Sequence, residues 1–192
     1  MRNHLNIAIR MTILTAVLLG LLYPLAITGV AQVVFPSAAD GSLLKVNGQV
    51  VGSSLIAQSF TQAKYFQPRP SAAGKGYDAM ASAASNLGPT SRALVDQVST
   101  AVGQALRQDP GLKKGQVPVD MVTTSGSGLD PDITVANARA QAPRVAAARG
   151  ISLAAVLRLV AAHTTGRTFG FLGEPRVNVL RLNLALDAAH GG

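Results

Sequence analysis

The sequence contains no cysteine and no tryptophan, and aromatic residues make up only 4% of its 192 residues. Without cysteine the chain has no disulfide, no thiolate metal site, no iron–sulfur cluster and no thiol nucleophile. Charged residues are also scarce, at 14%, against about 25% in average soluble domains. Because 48% of the residues are apolar, the composition indicates a membrane-associated protein.

The excess of basic over acidic residues, 17 against 9, gives a net charge of +8. Such a charge suits an anionic partner such as nucleic acid or lipid headgroups. However, the basic residues are scattered, and their longest run is Lys113-Lys114. Aromatic platforms for base stacking are also few. We therefore expect no nucleic-acid binding and retain membrane lipid as the anionic partner.

An uncharged apolar run extends over residues 11–35. At about 1.5 Å per residue it reaches roughly 37 Å, which exceeds the ~30 Å hydrocarbon core of a bilayer. A cleaved signal peptide is the alternative, with Ser37-Ala38-Ala39 as its cleavage site. The run is longer than the usual apolar region of such peptides, about 7–15 residues. The sequence therefore predicts a retained transmembrane helix.

Arginines at positions 2 and 10 precede this run, whereas Lys45 follows it and is offset by Asp40. The positive-inside rule then places the N-terminus in the cytoplasm. We expect three parts: a cytoplasmic arm at residues 1–10, a transmembrane helix at 11–35 and a periplasmic domain at 36–192. Ala16, Gly20 and Gly29 are expected to form a small-residue face for packing against another membrane helix. The alternative is that glycine is simply common in membrane helices.

The domain reads as a mixed α+β fold. Asn47-Gly48 predicts a hairpin over residues 43–51 after a polar linker at 36–42. Residues 57–90 form a long loop rich in Gly, Ala, Ser and Pro. Helices are expected after Thr90 or Ser91, after Thr134 and after Ser152, with Pro143 kinking or splitting the second. Residues 176–187 predict a strand that passes into a helix.

Candidate catalytic and metal-binding residues are few. Of the three histidines, His4 precedes the apolar run and His190 lies in the C-terminal tail, so His163 is the candidate, near a helix C-terminus where histidine is favoured. No nucleophile-elbow pattern surrounds Ser125 or Ser127. Asp130 and Asp132 are the closest approach to metal-ligand spacing, and they fit a turn or a helix start better. We therefore expect no catalytic residue and no metal site.

The most distinctive string is Ser125-Gly126-Ser127-Gly128-Leu129-Asp130-Pro131. Its backbone N–H groups offer a cradle for phosphate. The string lacks the lysine of a Walker A loop, because the next cation is Arg139. The favoured alternative is a tight turn between two elements.

Strings distributed over nearly the whole chain resemble the C subunit of the bacterial Kdp potassium-transporting P-type ATPase. They are Tyr23-Pro24-Leu25, Phe35-Pro36, Gly41-Ser42-Leu43, Val51-Gly52-Ser53-Ser54-Leu55-Ile56, Gln58, Phe60, Tyr65-Phe66, Arg69-Pro70-Ser71, Ala81-Ser82, Ser85-Asn86-Leu87-Gly88-Pro89, the Ser125–Pro131 string, Gln141, Arg144-Val145-Ala146, Arg176-Val177-Asn178-Val179-Leu180 and Leu182-Asn183. The chain differs from the family pattern at Ala57, Ala83, Ala84 and Pro143, where local backbone shape is in question.

The resemblance implies an accessory subunit of an ATP-driven, high-affinity potassium uptake complex in the bacterial inner membrane. Its partners would be a channel-like potassium-binding subunit, a P-type pump subunit and a small single-span subunit. It further implies a catalytic chaperone that raises the pump subunit's affinity for ATP, with Ser125, Gly126, Ser127 and Gly128 associated with nucleotide. No cofactor is expected to bind firmly to this chain, and any association with ATP is expected through the pump subunit, which binds it. The alternative is a membrane-anchored periplasmic binding module without a transport role.

Overall fold

A computed structural model describes residues 2–109 and 111–190. The chain divides into two compact units, Met1–Ser53 and Ser54–Gly192. Together they contain helices and antiparallel strands, so the predicted mixture of α and β structure is confirmed.

The first unit begins with one long helix made of α1 (Arg2–Val17), a π-helical turn (Leu18–Leu22) and α2 (Tyr23–Val34). None of its residues is buried. Within the described residues it is the one helix long and apolar enough to cross a membrane, with 33 residues and a mean hydropathy of 2.2. Residues 2–10, predicted as a cytoplasmic arm, are helical and continuous with the apolar run. Their placement relative to a membrane stays a prediction. The predicted linker likewise contains a short helix, α3 (Pro36–Ala39).

The π-helical turn ends two residues before Pro24. Proline has no N–H to donate, and its ring collides with the carbonyl one turn earlier in a regular α-helix. The backbone N–H of Tyr23 instead reaches the carbonyl oxygen of Leu18, five residues back. The wider turn therefore accommodates Pro24 without ending the helix.

The first unit closes with the predicted hairpin, β1 (Leu43–Val46) and β2 (Gln49–Ser53), paired antiparallel. Asn47 and Gly48 have φ values of 51° and 81°. Both central residues therefore occupy the left-handed region that a two-residue hairpin turn requires. The hairpin prediction is confirmed.

The second unit contains α4 (Arg92–Gln108), a 3₁₀ turn (Lys114–Gln116) and α5 (Val119–Val122). β3 (Asp132–Thr134), α6 (Val135–Arg149), α7 (Leu153–Ala162) and β4 (Thr164–Thr165) follow. β5 (Arg176–Asn178) leads directly into α8 (Val179–His190), which confirms the predicted passage from strand to helix. β5 is the middle strand of a three-stranded antiparallel sheet, in the order β3-β5-β4. The sequence did not predict β3 and β4.

Two predicted helix caps are confirmed. The Thr134 side chain accepts a hydrogen bond from the backbone N–H of Asn137 at 3.1 Å, and that of Ser152 accepts one from Ala155 at 3.2 Å. Of the kink or split expected at Pro143, the split is wrong, since α6 continues through it. Pro143 lies on the exposed side of α6, where water can take the place of the missing backbone donor.

The core of the second unit lies among α6, α7, α8 and the sheet. Its fully buried members include Val145, Val156, Val177 and Leu182. Phe66 joins them from the long loop and is completely inaccessible to solvent. One ring from a segment without helix or strand is therefore part of the main core.

The apolar face of α4 is only partly covered. Ala105 is its one buried residue. Leu94, Val98, Val102 and Leu106, which the spacing places on one face, line an open groove of about 650 Å³. The groove is therefore an accessible, mainly apolar surface of the second unit.

Candidate functional site

The long loop of the second unit has no helix or strand between Ser54 and Ser91. It is nevertheless fixed, because side-chain amides replace the missing backbone pairing. The backbone N–H of Gln67 donates to Oε1 of Gln141 at 2.8 Å, and Nε2 of Gln141 donates back to the Gln67 carbonyl at 3.0 Å. A side-chain amide thus forms the two bonds that a neighbouring strand would supply. Asn183 does the same for Phe66.

A chain of polar side chains runs along one face of α6. Asn137, Gln141 and Arg144 are spaced at i, i+4 and i+7, which places them on one side of the helix. Nε2 of Gln141 donates to Oδ1 of Asn137 at 2.8 Å, and Nη2 of Arg144 donates to Oε1 of Gln141 at 2.7 Å. Asn137 in turn donates to Asp120, whose carboxylate also caps the backbone N–H of Thr134. The network joins α5, α6 and the loop.

Arg144 ends this network in a buried ion pair. Its Nε lies 2.8 Å from Oδ1 of Asp109, with side-chain exposures of 8% and 3%. Its Nη1 donates to the carbonyl oxygens of Ala63 and Tyr65. Oδ2 of Asp109 has no hydrogen-bond partner among the described residues. Burial raises the pKa of Asp109, and the nearby Arg144 guanidinium opposes that rise.

The serine-glycine turn, residues 125–128, accepts hydrogen bonds from the same loop. The Ser127 carbonyl accepts hydrogen bonds from the Ala83 backbone at 3.0 Å and from the Ser82 hydroxyl at 2.9 Å. The Gly128 carbonyl accepts one from the Ser71 hydroxyl at 2.6 Å. Within the turn, Oγ of Ser127 accepts the Leu129 N–H at 3.1 Å.

The conformation of this turn requires glycine at position 128, Gly128. Its φ of +68° is in the left-handed region, and a Cβ there would lie 2.6 Å from the Ala83 carbonyl oxygen. Gly126 meets no such restriction, because nothing lies within 4 Å of its would-be Cβ. The favoured interpretation of the string as a tight turn agrees with this geometry. A contact of Ser125, Gly126, Ser127 or Gly128 with nucleotide stays a prediction.

The other candidate residues have structural partners. His163 is the C-cap of α7, and its Nδ1 lies 3.0 Å from the Leu159 carbonyl oxygen. Asp130 pairs with Arg69 at 3.1 Å. Asp132 pairs with Arg176 at 3.0 Å and lies in β3, so it does not start a helix. Over residues 2–109 and 111–190, no group of three or more His, Cys, Asp or Glu has the geometry of a metal site.

The small residues of the long helix are exposed, and nothing lies within 4 Å of a Cβ built on Gly20 or Gly29. Ala16 and Gly20 are four residues apart and share a face. Gly29 follows Gly20 by nine residues, about two and a half turns at 3.6 residues per turn. That spacing applies to a regular α-helix, whereas the π-helical turn at Leu18–Leu22 changes the rotation between Gly20 and Gly29. Packing of Ala16, Gly20 and Gly29 against another membrane helix stays a prediction.

The structure thus joins one candidate membrane helix to an α+β unit whose long loop is fixed by buried amides and one buried ion pair. The chain belongs to the family KdpC, described as K⁺-transporting ATPase, c chain, whose profile matches residues 5–188. The resemblance given by the sequence strings is confirmed.

Curated relatives match over almost the full chain. A protein of Acidobacterium capsulatum is 58% identical over 188 residues, which cover 98% of this chain and 100% of that protein. One from Myxococcus xanthus is 57% identical, covering 96% of this chain and 87% of its own length. One from Mycobacterium tuberculosis is 56% identical, covering 97% and 99%. Each is named Potassium-transporting ATPase KdpC subunit.

Proposed function

We propose that the chain is a non-catalytic accessory subunit of an ATP-driven, high-affinity potassium uptake complex. The observation that carries this proposal is the family match over residues 5–188, together with relatives that share more than half of their residues with the chain. Its partners are a channel-like potassium-binding subunit, a P-type pump subunit and a small single-span subunit. The alternative, a periplasmic binding module with no transport role, is an outcome of the test below.

The long helix anchors the chain in the bacterial inner membrane with its N-terminus in the cytoplasm and the second unit in the periplasm. Support comes from the helix itself, which at 33 residues is about 50 Å long at 1.5 Å per residue. Arg2 and Arg10 lie at its N-terminal end, and basic residues favour the cytoplasmic side. Ala16 and Gly20 leave room for close approach of another membrane helix.

The second unit acts by binding and stabilises the assembled complex and its ion entrance. Its buried polar side chains are engaged with one another and with the loop, as the Asp120, Asn137, Gln141 and Arg144 contacts illustrate. Its accessible apolar groove on α4 offers a surface for protein contact. The second unit therefore has the features of a preformed binding domain that contacts other subunits.

The effect on the pump subunit's affinity for ATP is indirect. In the proposed orientation the serine-glycine turn lies in the periplasm, whereas ATP is in the cytoplasm and binds to the pump subunit. The turn's contacts with Ser71, Ser82 and Ala83 give it a shape-holding role. It supports the domain surface that binds the complex, and the complex transmits the effect.

Placement is tested by single-cysteine labelling, which is clean because the chain has no native cysteine. Cysteines introduced at Asn3 and at exposed Met80 are labelled in intact, oriented vesicles with a membrane-impermeant maleimide. Met80→Cys should react only from the periplasmic face, and Asn3→Cys only after the membrane is permeabilised. The opposite pattern would reverse the proposed orientation.

The indirect route is tested with a photoreactive ATP analogue applied to the purified complex. We expect adducts on the pump subunit and none on residues 125–128. Omitting this chain should weaken the labelling of the pump subunit at low analogue concentration. Adducts on the serine-glycine turn in correctly oriented vesicles would contradict the indirect route.

A further inference from the structure

An exposed aromatic tip projects from the sheet of the second unit. It is the segment Thr168–Leu172, within the connection between β4 and β5. Phe169 and Phe171 are 84% and 70% exposed, and Leu172 is 49% exposed. These are two of the five phenylalanines of the whole chain. Apolar side chains grouped at this exposure mark interaction sites in soluble domains.

The tip is preformed. Thr168 and Leu172 exchange two backbone hydrogen bonds of 2.9 Å each. Below them, Nη2 of Arg167 donates to both carboxylate oxygens of Glu174, at 3.0 and 2.9 Å. The connection ends in β5, whose Val177 is completely buried in the core. The two rings are therefore presented on a closed turn, so little order has to be imposed when they bind.

Phe169 adopts a backbone conformation that is unfavourable for its residue type. Its φ is +53°, in the left-handed region, where a bulky residue is strained. With 84% of the residue exposed, packing within this subunit does not offset that strain. Unfavourable backbone of this kind persists where the surroundings or a function require it. The strain thus supports a role for the ring outside the isolated subunit.

The lack of net charge at the aromatic tip favours a protein over an anionic lipid surface as its binding partner. Residues 168–173 carry no charge, and the Arg167 guanidinium at their base is neutralised by Glu174. Segments that bind anionic membranes combine apolar residues with unpaired Lys or Arg. A neutral tip with rigid aromatic rings instead matches the desolvated centre of a protein–protein interface.

We propose that the aromatic tip docks into an uncharged apolar pocket on another subunit of the same potassium-transporting complex. This inference rests on the proposed role as an assembling subunit.

The first test replaces Phe171 by photoreactive benzoylphenylalanine in the full chain and irradiates the purified complex. The matched control carries the same probe at Met80, which is 98% exposed. We expect a covalent adduct between position 171 and a protein subunit of the complex, and at least about tenfold less at position 80. Assembly of the complex with lipid adducts alone, or with no adduct at 171, overturns the docking proposal and leaves the accessory role intact. Failure of the unaltered chain to assemble with the complex overturns both.

The second test uses the strain at Phe169. Phe169→Gly removes the ring and relieves the left-handed backbone, so the melting temperature of the full chain in detergent should stay unchanged or rise. Its affinity for the remaining subunits should fall about tenfold or more, as for a buried interface aromatic. Met80→Gly should leave that affinity unchanged. A Phe169→Gly chain that binds the other subunits as the unaltered chain does would overturn the proposal.

Discussion

Asn183 in α8 satisfies both backbone polar groups of Phe66, a residue 117 positions earlier in the chain. Its Oδ1 accepts the Phe66 N–H at 2.8 Å, and its Nδ2 donates to the Phe66 carbonyl at 2.9 Å. Both residues are buried. One side chain thus allows a loop residue to enter the core without leaving a buried backbone group unpaired.

Replacing Asn183 should consequently destabilise the folded chain. Asn183→Ala leaves two buried backbone groups without partners, at a cost of about 1–3 kcal/mol each. We expect the free energy of unfolding of the full chain, measured by urea denaturation in detergent, to fall by about 2–6 kcal/mol. Gln97→Ala removes an exposed amide from α4 and is the matched control. Equal effects of the two changes would show that the Asn183 contacts do not fix the loop.

Gly128 and Gly126 form a matched pair within the serine-glycine turn. Gly128→Ala places a methyl group 2.6 Å from the Ala83 carbonyl oxygen at a φ of +68°, and we expect it to destabilise the chain by more than about 1 kcal/mol. Gly126→Ala enters open space and should change stability by less than about 0.5 kcal/mol. Thermal unfolding of both variants checks this. A neutral Gly128→Ala would contradict the shape-holding role.

Two of the Arg–Asp pairs in the second unit, Arg144–Asp109 and Arg92–Asp96, allow the effect of burial to be separated from the effect of charge. Arg144→Ala leaves Asp109 buried and uncompensated, and we expect a loss of about 3–5 kcal/mol. Arg92→Ala breaks an exposed i,i+4 pair with Asp96 and should cost less than about 1 kcal/mol. If Arg144→Ala does not fold, Arg144→Lys keeps the charge but loses the planar fork and should fold with reduced stability. Similar losses for Arg144→Ala and Arg92→Ala would disprove the expected dependence on burial.

Asp109 should give stability an unusual dependence on pH. Burial raises its pKa, so the folded chain holds this proton more tightly than the unfolded chain does. The contribution is full below the unfolded-state pKa, about 4, and is lost as pH rises through the higher folded-state pKa. The stability of the unaltered chain relative to Asp109→Asn should therefore decrease with rising pH. Urea unfolding across this pH range checks it, with Asp96→Asn as control. A relative stability that increases with pH would contradict the expectation.

The sequence predicted those elements whose signals are local. Asn47-Gly48 specified the hairpin, and Thr134 and Ser152 specified two helix starts, because each turn or cap depends on only a few neighbouring residues. β3 and β4 were missed because they are only three and two residues long. Strands this short depend on pairing with β5 and carry no readable alternation.

The fixation of the loop was also beyond local reasoning. Gln141 and Asn183 contact residues 74 and 117 positions away, and their amides look like ordinary helix residues in the sequence. The aromatic tip was missed for a related reason. Phe169 and Phe171 were not distinguishable from core residues until their exposure was known.

The central claim is that this chain is an accessory subunit on which the assembled potassium pump depends. The most direct measurement compares the purified complex with and without the chain, recording subunit composition and potassium-stimulated ATP hydrolysis in the same preparations. The account predicts that omitting the chain reduces recovery of the assembled complex and lowers its potassium-stimulated activity, and that adding the full chain back restores both. Full assembly, potassium affinity and activity without the chain would contradict it.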